Sequence, residues 1–222
     1  MPMTTLTAAD GFELGAYRAE PAGAPRGGIV VIQEIFGVNS HIRSICDRLA
    51  ALGYVAIAPA IFDRIERDFE SGYTPPEIEH ARTFIADPDW DAYMRDTDAA
   101  RAAIESAGKT GIVGFCLGGS VAFAAATRLD GFSASVGFYG GRIAAIADEK
   151  PRCPVQLHYG SQDQGIPMSN VDTVRAKRPE VEVFVYEGAG HGFNCDARSS
   201  FHPDAARVAW GRTVDFFTEH LG

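Results

Sequence analysis

A cysteine lies where a short apolar run gives way to an alanine-rich segment. The sequence GFCLG at 114–118 follows a β-branched pair and places Cys116 at its centre. This order is typical of a nucleophile elbow, a strand–turn–helix in which glycines flank the nucleophile. The turn would expose the thiol at a helix N-terminus, where the helix dipole stabilises a thiolate and the Leu117 N–H faces a developing oxyanion. The alternative is a buried structural cysteine beside a glycine turn.

An acid and a histidine follow the cysteine in the chain order that such an elbow requires. Asp163 comes just after one apolar run, and His191 comes just after the next. A nucleophile of this kind needs a base and a group that orients the base. Taken singly, Asp163 could be a helix cap and His191 a solvated loop residue. Taken together and in this order, the three residues predict a Cys116–His191–Asp163 triad.

A carboxylate interrupts the end of the first strongly apolar run. Glu34 is followed by Ile35 and by a turn at Gly37. In hydrolases with this elbow, the loop at this point supplies the second oxyanion N–H, so Ile35 is the candidate donor. Glu34 either faces water at the strand end or, given its apolar neighbours, is buried and paired.

Apolar runs and amphipathic segments alternate from about residue 28 to the C-terminus. The run at 27–34 is typical of a parallel strand buried on both faces, and the segment 39–53 has helical spacing with Asn39 or Ser40 as its cap. This alternation predicts an α/β fold, mainly a parallel sheet with helices on both faces, in a single domain over residues 1–222. Ligands bind such sheets beyond the carboxyl ends of the strands.

The individual elements follow from the same patterns. Residues 11–20 alternate and are expected to form an edge strand. Residues 62–88 are polar and contain two adjacent prolines, which predicts an excursion or lid ahead of the next helix. Further strands are expected at 54–60, 111–115, 133–139, 154–160 and 181–187, and further helices at 89–108, 116–129, 167–177 and 203–220.

Composition limits the class of protein. The chain has 222 residues, 46% of them apolar and 22% charged, which is ordinary globular usage. A net charge of −9 argues against a nucleic-acid or anionic-membrane partner. No run is long enough to span a bilayer, and no signal peptide is visible. We expect a soluble cytoplasmic protein, a monomer or small homo-oligomer, with no disulfide framework among its four cysteines, Cys46, Cys116, Cys153 and Cys195.

Together these residues resemble the dienelactone hydrolase family, the carboxymethylenebutenolidase-type α/β-hydrolases. The resemblance covers nearly the whole chain and rests on QEIFGVN, RLAALGYVAIAP, GFCLGG, FYGG, HYGSQD and GAGHGF. It implies an α/β-hydrolase that needs no cofactor or metal. It also implies the following roles: Cys116, Asp163 and His191 as the triad, Glu34 as an auxiliary carboxylate, and Ile35 and Leu117 as donors to the oxyanion.

The resemblance further implies a mechanism. The resting thiol is held neutral against Glu34, and the bound substrate displaces that carboxylate, which then helps to take the thiol proton. A thiol nucleophile suits an enol lactone because the departing enolate is a good leaving group. His191 then activates water to hydrolyse the thioester. The implied activity is the opening of a lactone or activated ester, as from dienelactone to maleylacetate in aromatic catabolism.

The residues that would recognise the substrate depart from the family pattern. Dienelactone-specific members bind the substrate carboxylate with two arginines, and Arg82 is a possible match for one. The second position, four residues after the histidine, is Cys195, with Arg198 three residues further on, and Gly165 replaces an aromatic residue. Arg82 and Tyr139 are the candidate substrate-binding residues, and the substrate itself stays open.

Other functions were weighed against this one. A non-catalytic small-molecule binding or regulatory protein on a hydrolase fold remains the alternative, although retention of all four reactive residues argues against it. A metal site from His191 and Cys195 would need a helix, which Gly190 and Gly192 disfavour. GAGHGF lacks the glycine spacing of a dinucleotide fingerprint. The remaining histidines, His41, His80, His158, His202 and His220, are expected to be structural or exposed.

Overall fold

The structure is a computed structural model that describes residues 3–222. The strands are β1 (Met3–Thr7), β2 (Glu13–Ala19), β3 (Gly27–Ile32), β4 (Tyr54–Pro59), β5 (Thr110–Phe115), β6 (Phe132–Phe138), β7 (Val155–Gly160) and β8 (Glu182–Tyr186). The α-helices are α1 (Ser40–Ala51), α2 (Pro75–Thr83), α3 (Trp90–Ile104), α4 (Leu117–Arg128), α5 (Met168–Lys177) and α6 (Pro203–Leu221).

All eight strands form one sheet in the order β1-β2-β4-β3-β5-β6-β7-β8. The first two pairings are antiparallel, and every pairing from β4 to β8 is parallel. The predicted mainly parallel sheet is therefore confirmed. The expected edge position of residues 11–20 is wrong, because β1 pairs with β2 from outside and becomes the edge strand itself.

Helices cover both faces of the sheet, as predicted. Ile29 and Val31 of β3 belong to one core cluster, and Val30 and Ile32 belong to another. Because alternate residues of a strand point to opposite faces, the two clusters lie on the two sides of the sheet. Helices α1 and α6 pack against the first cluster, and α3 packs against the second.

The prolines at 75 and 76 begin a helix inside the segment that was expected to be an irregular excursion. Proline is tolerated in the first helical turn, where its missing N–H has no intrahelical partner to lose. Thr74 caps this helix, and its backbone N–H donates to the Glu77 carboxylate over 2.9 Å in a capping box. The adjacent prolines led to the expectation of an irregular segment, so α2 was not predicted. The sequence signal for this helix is the capping box of Thr74 and Glu77.

The carboxyl ends of the parallel strands place four reactive residues at one edge of the sheet. Glu34 follows β3, Cys116 follows β5, Asp163 follows β7 and His191 follows β8. No helix within residues 3–222 is long and apolar enough to cross a membrane.

Candidate active site

Cys116 lies in a strained turn between β5 and α4. Its φ of 55° and ψ of −113° fall where residues other than glycine rarely occur, and it directly precedes the first residue of the helix. A Cβ atom at Gly114 would lie 1.9 Å from the Gly118 carbonyl oxygen, and one at Gly118 would lie 2.3 Å from the Ile32 oxygen. The glycines therefore permit the close backbone packing that holds the thiol at the helix N-terminus.

His191 is oriented by a buried carboxylate. Its Nδ1 lies 2.7 Å from Asp163 Oδ2, and the Asp163 side chain is fully buried. The other carboxylate oxygen, Oδ1, accepts the Gly165 N–H over 2.8 Å. Gly165, which stands where the resembling family carries an aromatic residue, thus helps to fix the acid. With Nδ1 facing Asp163, the Nε2 atom of His191 is left for the reaction.

The charge state of His191 depends on the cysteine. Burial disfavours the imidazolium, but the charge of Cys116 and the hydrogen bond that His191 donates to Asp163 outweigh it and raise the pKa of His191 to about 10. Cys116 and His191 also line the same small cavity. Cys116 and Asp163 thus both favour the charged form of the His191 imidazole.

Glu34 is buried and paired, which decides between the two alternatives that the sequence left open. Its side chain is 1% exposed, and Oε1 accepts a hydrogen bond from Arg198 Nη1 over 3.1 Å. The Arg198 guanidinium also lies over the Phe36 ring, 5.4 Å from its centroid. A Cβ atom at Gly192 would lie 2.4 Å from Arg198 Nη1, so this glycine leaves the space that the guanidinium occupies.

The expected resting contact between Glu34 and the thiol is absent from this structure. No hydrogen bond joins Glu34 to Cys116 among residues 3–222, and Glu34 Oε2 is buried without a partner. Cys116 interacts electrostatically with His191 and with Arg198. The structure therefore places the cysteine with its base and keeps Glu34 with Arg198.

Two backbone donors have the surroundings of an oxyanion hole. Leu117 is the first residue of α4, so its N–H has no intrahelical acceptor. Neither this N–H nor that of Ile35 donates to another group in the described part of the chain. Both residues are buried. Both N–H groups are therefore free to donate, as the predicted role of oxyanion donors requires.

The cavity at the cysteine has a volume of about 250 Å³. Arg142, which the sequence interpretation missed, lies on its wall. Its guanidinium Nη2 is 3.5 Å from the Ile85 carbonyl oxygen, and it forms no salt bridge within residues 3–222. The available signal was a basic residue just after FYGG at the end of β6. The cavity is lined by Ile85, Cys116, Leu117, Ser120, Gly141, Arg142, Gly165, Ile166 and His191.

The two candidate substrate-binding residues lie elsewhere. Arg82 is exposed in the last turn of α2 and is not among the residues that line this cavity. Tyr139 is completely buried, and its ring centroid lies 5.1 Å from that of His191. Its hydroxyl has no hydrogen-bond partner, and burial raises its pKa well above the usual value. Tyr139 therefore packs against the imidazole of His191.

Known proteins share this fold and these motifs. The sequence model of the dienelactone hydrolase family matches residues 14–221. A Synechocystis protein provisionally named a carboxymethylenebutenolidase is 35% identical over 230 residues, covering 95% of this chain and 93% of the relative. A Methylorubrum extorquens protein with the same provisional name is 37% identical, covering 92% and 76%. The crystal structure of a protein provisionally named a dienelactone hydrolase, from Klebsiella pneumoniae, has a TM-score of 0.88 at 30% identity and covers 98% of both chains.

Proposed function

This chain belongs to the dienelactone hydrolase family, and on that premise we propose that it opens lactones and activated esters through a thioester on Cys116. The family makes it a hydrolase of the carboxylic ester type. One observation carries the finer proposal. Cys116 shares a cavity with His191, and His191 is held at 2.7 Å by the buried Asp163.

Acylation begins when the Cys116 thiol proton passes to His191, which leaves a thiolate beside an imidazolium. The Cys116 sulfur attacks the substrate carbonyl carbon, and the carbonyl electron pair moves onto oxygen, where the N–H groups of Ile35 and Leu117 stabilise it. The tetrahedral intermediate collapses to a thioester as the carbon–oxygen bond to the leaving group breaks. The departing oxygen takes the proton from His191. An enolate or phenolate leaves readily, whereas an amide nitrogen does not.

Deacylation depends on the loss of the negative charge of Cys116 that acylation causes. Once Cys116 is a thioester, its negative charge no longer favours the imidazolium of His191, so neutral His191 becomes the stable form. His191 then takes a proton from water, and the resulting hydroxide attacks the thioester carbonyl. The sulfur leaves as thiolate, and the imidazolium forms again. Asp163 keeps Nε2 directed at the reacting atoms throughout.

Glu34 is the reserve acceptor for the thiol proton. If substrate entry loosens the contact with Arg198, Glu34 would be free to accept a proton from any neutral Cys116 thiol. The buried pair between Arg198 and Glu34 supports this role, because both groups are charged and neither is accessible enough to be solvated alone.

The cavity supports a small substrate. About 250 Å³ is less than the usual volume of a drug-sized ligand site. The apolar walls at Ile85 and Ile166 suit an unsaturated ring or short acyl chain, and Arg142 offers a cation to an acidic group. A small lactone or ester carrying one carboxylate fits these surroundings best.

Initial rates of hydrolysis test the proposal. The substrates are cis-dienelactone, trans-dienelactone and p-nitrophenyl acetate, and the proteins are the parent, Cys116→Ala and the matched control Cys153→Ser, a half-buried free cysteine. Turnover by the parent and the control that is lost in Cys116→Ala is the expected result. Equal rates in all three proteins would contradict it. A single stoichiometric burst without turnover would favour the alternative, a non-catalytic binding protein.

A further inference from the structure

A second set of reactive side chains lies behind the active site. Glu34, His41 and Cys195 each offer one ligand atom, and these three atoms all lie within 4.8 Å of one another. All three residues are buried, with exposures of 1%, 6% and 0%. His41 comes from α1, Cys195 from the loop after β8, and Glu34 from the end of β3. The fold thus gathers a carboxylate, an imidazole and a thiol from three separate elements.

Two polar atoms of this set have no partner. Glu34 Oε2 and His41 Nε2 are both inaccessible, and neither forms a hydrogen bond with any group of residues 3–222. A buried polar atom without a hydrogen-bond partner costs about 1–3 kcal/mol of folding stability. Such atoms are therefore rare unless they bind a water or an ion. The third residue, Cys195, donates its S–H to the Tyr73 hydroxyl over 3.4 Å. The cluster therefore has free acceptor capacity directed at one small volume.

We propose that Glu34, His41 and Cys195 form a binding site for a thiophilic divalent cation such as Zn²⁺, and that the bound ion inhibits the hydrolase by occupying Glu34. Zinc prefers cysteine, histidine and carboxylate ligands at about 2.0–2.3 Å, which puts tetrahedral ligand atoms about 3.5 Å apart. Because the three ligand atoms lie within 4.8 Å of one another, side-chain movements of about 1 Å would bring them to that spacing. A water completes the four ligands.

The surroundings of His41 suit a metal ligand. Its Nδ1 lies 3.9 Å from a carboxylate oxygen of the exposed Asp196. Histidines that bind metal usually direct their other ring nitrogen at a carboxylate, which orients the ring and makes it a better donor.

An ion can reach the cluster from the surface. A cavity of about 430 Å³ reaches His41 and is also lined by Asn194 and Asp196, the two neighbours of Cys195 in the chain. This cavity contains neither Cys116 nor His191. The cation therefore has an entrance that does not pass through the substrate cavity.

The charges balance on binding. Without an ion, the Cys195 S–H donates to the Tyr73 hydroxyl. Binding breaks its S–H bond, forms a sulfur–metal bond and releases one proton to water. The resulting thiolate and the Glu34 carboxylate offset the charge of the ion. Arg198 keeps its hydrogen bond to Glu34 Oε1 while Oε2 turns to the metal.

Cobalt tests the site without any turnover. Titration with Co²⁺ alone should give a near-ultraviolet thiolate-to-cobalt charge-transfer band in the parent, in Cys116→Ala and in the control Cys153→Ser. The band should be absent from Cys195→Ser. In His41→Gln, the apparent affinity for Co²⁺ that the titration gives should be at least about tenfold weaker. Because the band needs no hydrolysis, failure of the proposed catalytic function would leave it unchanged.

Inhibition is measured separately and rests on the proposed function. Zn²⁺ should inhibit p-nitrophenyl acetate hydrolysis by the parent, and His41→Gln should need at least about tenfold more Zn²⁺ for half inhibition. A band that disappears in Cys116→Ala and persists in Cys195→Ser would overturn the site, because the ion would then lie on the catalytic cysteine. No band in any protein would also overturn it and would leave a trapped water as the partner of the two orphaned atoms. Zn²⁺ inhibition that is equal in the parent and His41→Gln would overturn the inhibitory role.

Discussion

Arg198 forms a salt bridge with Glu34, although no sequence motif predicts that these two residues pair. The two side chains meet at 3.1 Å, with the carboxylate 1% and the guanidinium 17% exposed. The resembling family carries an arginine four residues after the catalytic histidine, where this chain has Cys195. Here the turns that follow β8 bring Arg198 back over Phe36, and a guanidinium reaches the carboxylate from further along the chain.

Removing one member of this pair should destabilise the fold. Arg198→Gln leaves the Glu34 charge buried without its partner, and the expected loss is about 3 kcal/mol in the free energy of unfolding, measured with urea. The double variant Glu34→Gln/Arg198→Gln should recover part of that loss. Arg207→Gln removes a surface pair with Asp204, in which the two side chains are 74% and 84% exposed, and should change stability by less than about 0.5 kcal/mol. Equal effects from the two arginines would contradict the buried pair.

The thiolate of Cys116 should control the titration of His191. In the parent, NMR of the imidazole nitrogens should give a pKa of about 10, and Cys116→Ala should lower it, because the charge that raises this pKa most is gone. A raised pKa means that the folded protein holds the proton more tightly than the unfolded chain does. This stabilisation is complete below pH 6.5 and is lost as the pH rises towards 10. An unchanged titration in Cys116→Ala would show that Asp163 alone sets the pKa.

Arg142 should recognise an acidic group on the substrate. Arg142→Gln is expected to lower kcat/KM for the p-nitrophenyl monoester of glutaric acid by about tenfold or more, through loss of a charged hydrogen bond. The rate with neutral p-nitrophenyl acetate should change little. Arg82→Gln is the matched variant, since Arg82 is the arginine that the sequence favoured. If the selective loss appears in Arg82→Gln instead, then the substrate carboxylate binds at α2.

The backbone contact beneath the elbow should not tolerate a side chain. Gly118→Ala places a Cβ atom 2.3 Å from the Ile32 oxygen and 2.6 Å from the Gln33 oxygen, so β3 or α4 must move. We expect a loss of about 3 kcal/mol in unfolding free energy together with loss of activity. Gly211→Ala in α6 meets nothing within 4 Å and should stabilise the protein by about 0.5–1 kcal/mol. Full activity in Gly118→Ala would show that the elbow is not constrained.

Local sequence patterns predicted most of the fold. The runs before Cys116 and Asp163 are buried strands, and the run before His191 is a partly buried strand. The carboxyl ends of parallel strands must meet at one edge. Three residues distant in the chain could therefore be assigned to one site. Helix α1 was also predictable from a local signal, because Asn39 caps it and its side chain accepts the Ile42 N–H.

Non-local geometry accounts for what the sequence did not predict. β1 is a short threonine-rich strand that is defined by its pairing with β2, and α2 depends on a capping box that outweighs its prolines. Arg142 lines the cavity and Arg198 contacts Glu34, and both lie in loops. No spacing rule relates either residue to Cys116. The distance between Glu34 and His41 is likewise set by the packing of α1 against β3.

The covalent intermediate on Cys116 is the central claim, and mass spectrometry tests it most directly. In His191→Gln, Glu34 is the remaining acceptor for the Cys116 thiol proton, and no base is left to activate water. This variant should therefore accumulate an acetyl adduct with p-nitrophenyl acetate. After rapid acid quenching and proteolysis, the account predicts the adduct on the peptide that contains Cys116 and on no other cysteine peptide. An adduct on Cys46, Cys153 or Cys195, or no adduct although the parent turns over, would contradict the account.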